Sequence, residues 1–332
     1  MIRKTKIEKI SKVISINSLV ILFLALIFEL ILRYFHIPYS QTWIPSENAI
    51  CRFDNDLGWH YLPNTSTTLT IGENVREYHF DKDGIRVPSA SFIFDYRKPT
   101  VLFIGSSFTM GHGLSYEETF VSKLSVLLSG SGYQFVNLGV QAYGSDQALI
   151  LLKKYIDKFN TKIVVYTFNP DHLLYDSNHD RRILFPNAKF LGTKPLFSLD
   201  DKNELFIKKS PEKYSDYYNS YLIDLIKITI GHRLGLFPPF STRLTKAIIT
   251  EMNQYCATKN VRFVLLNWRT QYSDYNDFDD LNIEKIDTLK NPPYGFHDMI
   301  IQGDGHPNGE ATSYIADLLF GYFTRNAIQE AQ

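Results

Sequence analysis

One long apolar stretch dominates the N-terminal part of the chain. It runs from Val13 to Leu32, and a helix of this length spans roughly 30 Å, the thickness of the hydrocarbon core of a bilayer. Glu29 is its only charged residue and stands four positions before Arg33, so the two can pair near the membrane interface. The pattern predicts a transmembrane helix over residues 13–33.

The charges around this stretch predict its orientation. The tail of residues 1–12 is basic, and after Arg33 no lysine or arginine occurs until Arg52. The positive-inside rule then places the N-terminus in the cytoplasm and the remaining chain outside it, in the periplasm or at the cell surface. A cleaved signal peptide would need a small-x-small site after Leu32, and none is present. A buried helix of a soluble core is the other alternative, and the length and flanking charges weigh against it.

Residues 34–98 form a lead-in to the main domain. Thr67–Ile71 and Val75–Phe80 alternate between apolar and polar positions around Gly72-Glu73-Asn74, which predicts a β-hairpin. The segment is too short for a core of its own. We expect it to pack against the domain that follows.

Strand and helix patterns alternate from residue 99 to residue 327. This alternation predicts an α/β fold, a three-layer sandwich with a mostly parallel sheet. The predicted strands are Val101–Ile104, Gln134–Asn137, Ile163–Phe168 and Arg262–Leu266. The predicted helices run from a Ser115-x-x-Glu118 capping box to about Leu128, from Ser145 to about Phe159, from Thr242 to Thr258, and from Gly309 to about Phe323.

An insertion of about residues 176–241 interrupts this alternation. Phe197–Leu199 and Glu204–Ile207 predict a hairpin, and Ser220 to Ile230 predicts a helix. Either the insertion forms a cap over the site, or it is a solvated elaboration with no part in substrate choice.

The amino-acid composition excludes few classes of function. The 35 basic and 35 acidic residues cancel, so no overall field favours nucleic acid as a partner. Cys51 and Cys256 have no metal-binding spacing. They form either one disulfide or two buried thiols. No cofactor is expected.

The first candidate for chemistry is Ser107. It lies in the block Gly105-Ser106-Ser107-Phe108-Thr109-Met110-Gly111, directly after the apolar strand Val101–Ile104. A residue at this turn is held at the carboxyl edge of the sheet, where α/β folds bind their ligands. Gly105 and Gly111 permit a close backbone approach. A serine there is a candidate nucleophile if a base can remove its proton.

His306 is the candidate base, and Asp304 is the carboxylate that would orient its ring. The block Asp304-Gly305-His306-Pro307-Asn308 places them two residues apart near the end of the chain, and serine, histidine and carboxylate are the parts of an acyl-transfer enzyme. Two alternatives remain open. The pair could be half of a metal site completed by His297 or Asp298, or His306 could simply cap the last helix together with Asn308.

A serine enzyme also needs donors for the oxyanion. The backbone N–H of Ser107 is one candidate. The loop Val140–Gly144, between a predicted strand and helix, offers a second backbone N–H. Asn169, just after the strand Ile163–Phe168, offers a side-chain amide.

Taken together, these blocks resemble the SGNH/GDSL hydrolase family over roughly residues 99–327. The similarity includes the serine block, the segment Asn137–Leu149 and the Asp304-x-His306-Pro307-Asn308 block. It implies Ser107, His306 and Asp304 as catalytic residues. It also implies an oxyanion hole of Ser107, a glycine position that falls at Ala142 or Gly144, and an amide. The anchor and Leu57-Gly58-Trp59 resemble exported, anchored members.

Three positions depart from the family pattern. Ser106 replaces the aspartate before the nucleophile. In the third block an alignment without a gap places Asp171, not Asn169, at the amide position, and an ionised carboxylate cannot donate a hydrogen bond. The spacing from acid to histidine is two rather than three.

The sequence therefore predicts a membrane-anchored, exported serine esterase acting on O-acyl (acetyl) esters of a surface glycan, with the glycan taken from the resemblance alone. The same residues would also suit an acyltransferase to a polysaccharide hydroxyl. A non-catalytic glycan-binding or assembly protein that retains the fold is the third alternative.

Overall fold

Helices and strands alternate through most of the chain. The structure, a computed structural model, describes residues 2–37, 50–71, 74–181, 184, 191–214, 220–234, 240–269 and 278–326. In chain order the elements are α1 (Ile2–Tyr34), β1 (Cys51–Asp54), β2 (Gly58–Tyr61), β3 (Thr65–Ile71), β4 (Asn74–Phe80), β5 (Arg86–Val87), β6 (Pro99–Gly105), α2 (Ser107–Met110), α3 (Phe120–Leu127), β7 (Gln134–Gly139), α4 (Ser145–Tyr155), β8 (Asn160–Phe168), α5 (Asp171–Ser177), β9 (Leu196–Leu199), β10 (Leu205–Lys209), α6 (Tyr221–Leu234), α7 (Thr242–Thr258), β11 (Arg262–Asn267), β12 (Lys285–Asp287) and α8 (Gly309–Asn326).

The chain divides into two compact units. The smaller comprises residues 1–45, 180–190 and 214–237, and the larger comprises residues 46–179, 191–213 and 238–332. The predicted insertion is therefore not one body, because its hairpin β9–β10 belongs to the larger unit and its helix α6 to the smaller one.

A five-stranded parallel sheet forms the centre of the larger unit, in the order β12-β11-β8-β6-β7. Numbered along the chain, this is the 2-1-3-4-5 order of doubly wound folds. Such folds bind ligands at the carboxyl ends of the strands where the order reverses, here between β6 and β8. The prediction of a mostly parallel α/β sheet is confirmed.

The apolar run of β6 explains why this strand is central. Leu102 and Ile104 point into one buried cluster, and Val101 and Phe103 into another. Alternation along a strand sends successive side chains to opposite faces, so both faces of the sheet are covered. Residues of α4 and α7 belong to the first cluster, and residues of α3 and α8 to the second, which gives three layers.

The helix predicted from about Thr242 to Thr258 is confirmed, and α8 extends to Asn326. The predicted start at Ser115 is wrong. Ser115 does bond to Glu118, but this contact closes a turn. Helix α3 begins at Phe120, because the side chain of Thr119 caps it by accepting from the backbone N–H of Ser122.

Two other predicted boundaries also shift. Gly144 occupies the N-cap of α4 in place of Ser145, and the helix ends at Tyr155 rather than near Phe159. The fifth strand, β12, has only three residues, which is too short for periodicity to reveal.

The lead-in folds into two small sheets, β1–β2 and β3–β4–β5. The predicted hairpin is confirmed, with Thr70 opposite Val75, while Gly72 and Glu73 of its turn lie outside the described residues. Trp59 and Phe80 are buried in the same cluster as Leu102 of the central sheet. The lead-in therefore shares the core of the domain, as expected.

Cys256 is a buried thiol that forms no disulfide, so Cys51 and Cys256 are not joined. Burial raises the pKa of Cys256 to about 12, which makes this thiol a poor nucleophile at neutral pH.

In the smaller unit, α1 contains one segment, Ile10–Tyr34, that is long and apolar enough to cross a membrane. The predicted span of residues 13–33 falls inside it. The large apolar side chains of this segment are mostly exposed.

Candidate active site

Ser107 lies where the order of the central sheet reverses. It follows β6 and is the first residue of the short helix α2. Gly105 makes the turn possible, since its φ is 153° and an added Cβ would lie 2.3 Å from Thr109 Oγ1. Gly111 ends α2 at a φ of 78°. Both glycines therefore act as the sequence predicts, holding Ser107 at the carboxyl edge of the sheet.

Ser107, His306 and Asp304 are brought together across the fold. His306 Nε2 lies 2.9 Å from Ser107 Oγ, although the two residues are 199 positions apart. His306 Nδ1 lies 2.6 Å from Asp304 Oδ1. With Nδ1 protonated and donating to the carboxylate, Nε2 is left to accept the serine proton. This is the chain of hydrogen bonds that a serine nucleophile requires.

The electrostatics of Asp304 match an ionised partner of the histidine. Burial alone would raise the pKa of this carboxyl, but the hydrogen bond from His306 and the nearby rings of His306 and His112 hold it below its ordinary value of 3.8. Asp304 is therefore charged at neutral pH. An ionised carboxylate fixes the histidine tautomer and stabilises the imidazolium that forms during attack.

His112 completes this cluster and is not singled out by the sequence. Its ring centroid lies 4.5 Å from that of His306, and its Nε2 lies 3.8 Å from Asp304 Oδ2. Burial, followed by the neighbouring His306, lowers the pKa of His112 to about 3, so its ring stays neutral. The only sequence signal is its position between Gly111 and Gly113, five residues after Ser107.

The proposed metal ligands His297 and Asp298 are exposed and pair with each other at 3.0 Å. Within the described part of the chain, the set of donor atoms close enough to hold a metal ion is instead His112, Asp304 and His306. Both ring nitrogens of His306 already contact Ser107 and Asp304. This arrangement favours a hydrogen-bonded triad over a metal centre.

Asn169 lies beside the serine block. Its side-chain Nδ2 donates to Ser106 Oγ over 3.0 Å, and its Oδ1 accepts from the backbone N–H of Asp171 at 3.1 Å. Asn169 is buried, whereas the side chain of Asp171 is exposed. Of the two residues that compete for the amide position, Asn169 is therefore the one fixed next to Ser106 and Ser107.

Ala142 and Gly144, in the loop between β7 and α4, differ in backbone conformation. Ala142 has a φ of 59°, in the left-handed region that favours glycine. Gly144 is extended at a φ of −92°. Its small size is needed for another reason, since an added Cβ would lie 2.6 Å from Asp176 Oδ1.

The lead-in holds this same loop. Trp59 Nε1 donates to the carbonyl of Gln141 at 3.1 Å, and the backbone N–H of Gln141 donates to the hydroxyl of Tyr61 at 3.1 Å. Tyr143 in turn donates to the carbonyl of Trp59 at 2.5 Å. Three aromatic side chains thus fix the backbone on both sides of Ala142.

A buried arginine of the lead-in holds the segment that follows α2. Arg86 donates to the carbonyls of Met110 at 2.6 Å, Gly111 at 2.8 Å and Leu114 at 2.6 Å. Its guanidinium also lies 4.2 Å from the ring centroid of Tyr78. This segment carries His112, so the hydrogen bonds of Arg86 hold the backbone on both sides of His112.

Two cavities adjoin the site. One of about 360 Å³ is mostly apolar and lies along Phe108, Asn169, Trp268, Phe296 and Met299. The other, of about 590 Å³, has more polar walls, which include Arg76, Glu118, Gln302 and Asn308. Ile300 lines both, so the two cavities are neighbours.

Several solved structures align with this chain. The chain is similar to SGNH/GDSL hydrolases. An esterase, EstA, from Pseudoalteromonas sp. aligns with 13% identity and a TM-score of 0.39, over 68% of this chain and 97% of that one. A member of the lipolytic G-D-S-L family from Veillonella parvula aligns with 12% identity and a TM-score of 0.38, over 68% and 99%. AlinE4, an SGNH-hydrolase family esterase, aligns with 11% identity and a TM-score of 0.36, over 70% and 98%.

No family model matches the chain. No curated protein matches it either. The strand order of the sheet and the distances among Ser107, His306 and Asp304 are observed in this chain itself.

Proposed function

We propose that this protein is a membrane-anchored, exported serine esterase of the SGNH type. The observation that carries the proposal is the continuous contact from Ser107 through His306 to Asp304, at 2.9 and 2.6 Å. In this mechanism His306 takes the proton of Ser107 as the hydroxyl attacks an ester carbonyl. It then returns the proton to the leaving alcohol, while Asp304 stabilises the imidazolium. Water repeats the cycle on the acyl-enzyme and releases the acid.

The oxyanion would be held by three donors on three loops. They are the backbone N–H groups of Ser107 and Ala142 and the side-chain amide of Asn169. The left-handed backbone at Ala142 and the closeness of Asn169 to the serine block support this assignment. Donors fixed before the substrate arrives cost no reorganisation in the transition state, and the contacts from Trp59 and Tyr61 provide that fixation.

The two cavities support an acylated carbohydrate as substrate. The mostly apolar cavity of about 360 Å³ is large enough for an acyl group, acetyl included. The neighbouring cavity offers hydrogen-bonding side chains, including Gln302 and Asn308, to the hydroxyl-rich alcohol portion. The helix α1 would anchor the chain, with residues 1–12 in the cytoplasm and the catalytic unit, residues 99–327, outside.

Labelling with a fluorophosphonate tests the nucleophile directly. The full-length protein in detergent should be labelled at Ser107, and Ser107→Ala should abolish labelling. Ser129→Ala is the control, because it removes the hydroxyl of an exposed serine outside the site and leaves Ser107 beside His306. Equal labelling of wild type and Ser107→Ala would reject the proposed nucleophile.

Product analysis separates hydrolysis from acyl transfer. With an acetylated oligosaccharide as donor and excess unacetylated oligosaccharide as acceptor, an esterase releases free acetate. A transferase moves the acetyl group to the acceptor. Absence of labelling and of either product, in protein that is folded by circular dichroism, would favour a binding or assembly role.

A further inference from the structure

Helix α6 of the smaller unit has an apolar stripe on its exposed side. Ile223, Ile226, Ile230 and Leu234 are 52%, 46%, 45% and 65% exposed. At 3.6 residues per turn they fall within an arc of about 80° around the helix. Helices of soluble domains normally turn such a stripe toward the core, so the outward direction requires an explanation.

Two cations flank the stripe. Lys227 and Arg233 are exposed, and each lies roughly 20° beyond one edge of the apolar arc. The half-buried side of α6 is also apolar, at Leu222 and Leu225, and the exposed side carries the two cations. Exposed apolar side chains bordered by basic ones occur on helices that lie in the interface of a bilayer. There the apolar side chains contact acyl chains and the cations reach the phosphates.

The first turn of α6 is attached to α1 through Glu29. The carboxylate accepts hydrogen bonds from Ser220 Oγ at 2.8 Å and from the backbone N–H groups of Tyr221 at 3.1 Å and Leu222 at 2.9 Å. A negative charge at a helix N-terminus is favourable, because it satisfies donors that the helix itself leaves unpaired. The one carboxylate of the apolar stretch therefore has a structural role as the cap of a second helix.

Arg33 strengthens the same attachment. Its guanidinium pairs with Glu29 at 2.6 Å and lies 4.9 Å from the ring centroid of Tyr221. The two helices pack against each other.

The less exposed residues of α1 show where α6 packs against it. Between Ile10 and Tyr34 only Ala25, Glu29, Leu32 and Arg33 are covered, and every other residue of that segment is exposed. Spacings of four and three place these residues on one side of the helix. The contact with α6 is therefore confined to the last turns of the candidate span, next to one membrane surface.

We propose that α6 lies in the interface of the bilayer that α1 crosses, with Ile223, Ile226, Ile230 and Leu234 among the acyl chains and Lys227 and Arg233 at the phosphates. The inference rests on the membrane anchoring proposed above. A lipid surface is the favoured occupant because the stripe starts beside the span, and the cations flanking it suit phosphates.

Spin labels on the full-length protein in vesicles of phosphatidylcholine and phosphatidylglycerol test this placement. Ile226→Cys and Ile230→Cys report on α6, and Leu22→Cys reports on the span. Val126→Cys, at a side chain that is 71% exposed on α3 of the larger unit, is the water reference. The native cysteines are buried, and unsubstituted protein controls for their labelling.

The measurement is the collision rate of each label with oxygen and with a water-soluble nickel chelate. We expect the labels at Ile226 and Ile230 to collide more often with oxygen than with the nickel chelate, as the label at Leu22 does. The label at Val126 should collide more often with the nickel chelate. If the two α6 labels behave like Val126 while Leu22 stays in lipid, the placement of α6 is wrong and the anchor stands. If the label at Leu22 also collides more often with the nickel chelate, both the membrane anchor and the placement of α6 are wrong.

Two further readings complete the test. Broadening between α6 labels that disappears on dilution with unlabelled protein would identify a second copy as the occupant and overturn the lipid assignment. Glu29→Ala should increase the mobility of the label at Ile226 while Leu22 remains in lipid. Unchanged mobility would show that the Glu29 cap does not hold α6.

Discussion

The side-chain amide of Asn169 donates a hydrogen bond to the hydroxyl of Ser106 across 3.0 Å, although the two residues are 63 positions apart. Ser106 occupies the position at which the SGNH pattern has an aspartate. Its hydroxyl accepts a hydrogen bond as a carboxylate would, so the replacement still gives the amide a fixed partner beside Ser107.

Replacing Asn169 by alanine should therefore slow catalysis strongly. Loss of one oxyanion donor typically lowers kcat by about 10²–10³, and initial rates at saturating acyl ester measure the effect. Asp171→Asn is the matched comparison and should leave the rate unchanged or raise it, because Asp171 lines the apolar cavity and its negative charge would repel the oxyanion. A fully active Asn169→Ala variant would mean that the third donor lies elsewhere.

Ser107 and His306 should behave as one unit. Each single alanine variant is expected to remove most activity on p-nitrophenyl acetate, and the double variant should lose little more, because the second side chain has no function without the first. Steady-state kinetics of the four proteins test this. Additive losses, or wild-type turnover in Ser107→Ala, would contradict the shared role.

Arg86→Met should destabilise the fold and lower activity together. The change leaves three carbonyl groups without their donor, and we expect a loss of about 2–4 kcal/mol in the free energy of unfolding. Urea denaturation measures it. Arg97→Met removes an exposed pair with Asp95 at 3.6 Å and should cost less than about 1 kcal/mol. Equal effects would argue against a special role of Arg86.

Buried His60 should make the protein sensitive to mild acid. Burial, aided by Lys154, lowers the pKa of His60 to about 4 from an ordinary value of 6.5. Between these values the unfolded chain binds the proton and the folded chain does not, so stability falls as pH falls, by up to about 1.4 kcal/mol per pH unit.

The variant His60→Gln isolates this contribution. Buried Asp176, whose pKa is raised to about 6, has the opposite sign, and His112 has the same sign as His60. The contribution of His60 is therefore the difference between wild type and variant. From pH 4.5 to 6.5, a plot of unfolding free energy against pH should be flatter for His60→Gln. Parallel plots would show that His60 is not held neutral.

The basic tail predicts the topology. Alkaline phosphatase fused after Gln332 should be active in intact cells, because this enzyme requires an oxidising compartment outside the cytoplasm. The same reporter fused before Met1 should be inactive. Activity of a cytoplasmic reporter at the C-terminus would reverse the orientation, and solubility of the full chain without detergent would argue against the anchor.

Sequence patterns predicted the central strands because fully apolar runs between turns have few other uses. The contact between Ser107 and His306 followed from residue chemistry. His112 and Arg86 were missed, because a lone histidine between glycines and a lone arginine in a strand have no periodic signature. The start of α3 was missed because Ser115 and Thr119 are both capable caps, and only the fold shows which carbonyls and N–H groups need them.

The hydrogen bond from Trp59 to Gln141 joins residues 82 positions apart. The unit that can fold on its own therefore begins before Trp59 and not at residue 99. A fragment cut at residue 99, where the similarity to hydrolases starts, would keep every reacting group but lose the aromatic supports of the Ala142 loop and the guanidinium behind His112. Such a fragment should expose apolar surface and aggregate. A shorter fragment that keeps these supports of the site must therefore begin before strand β1.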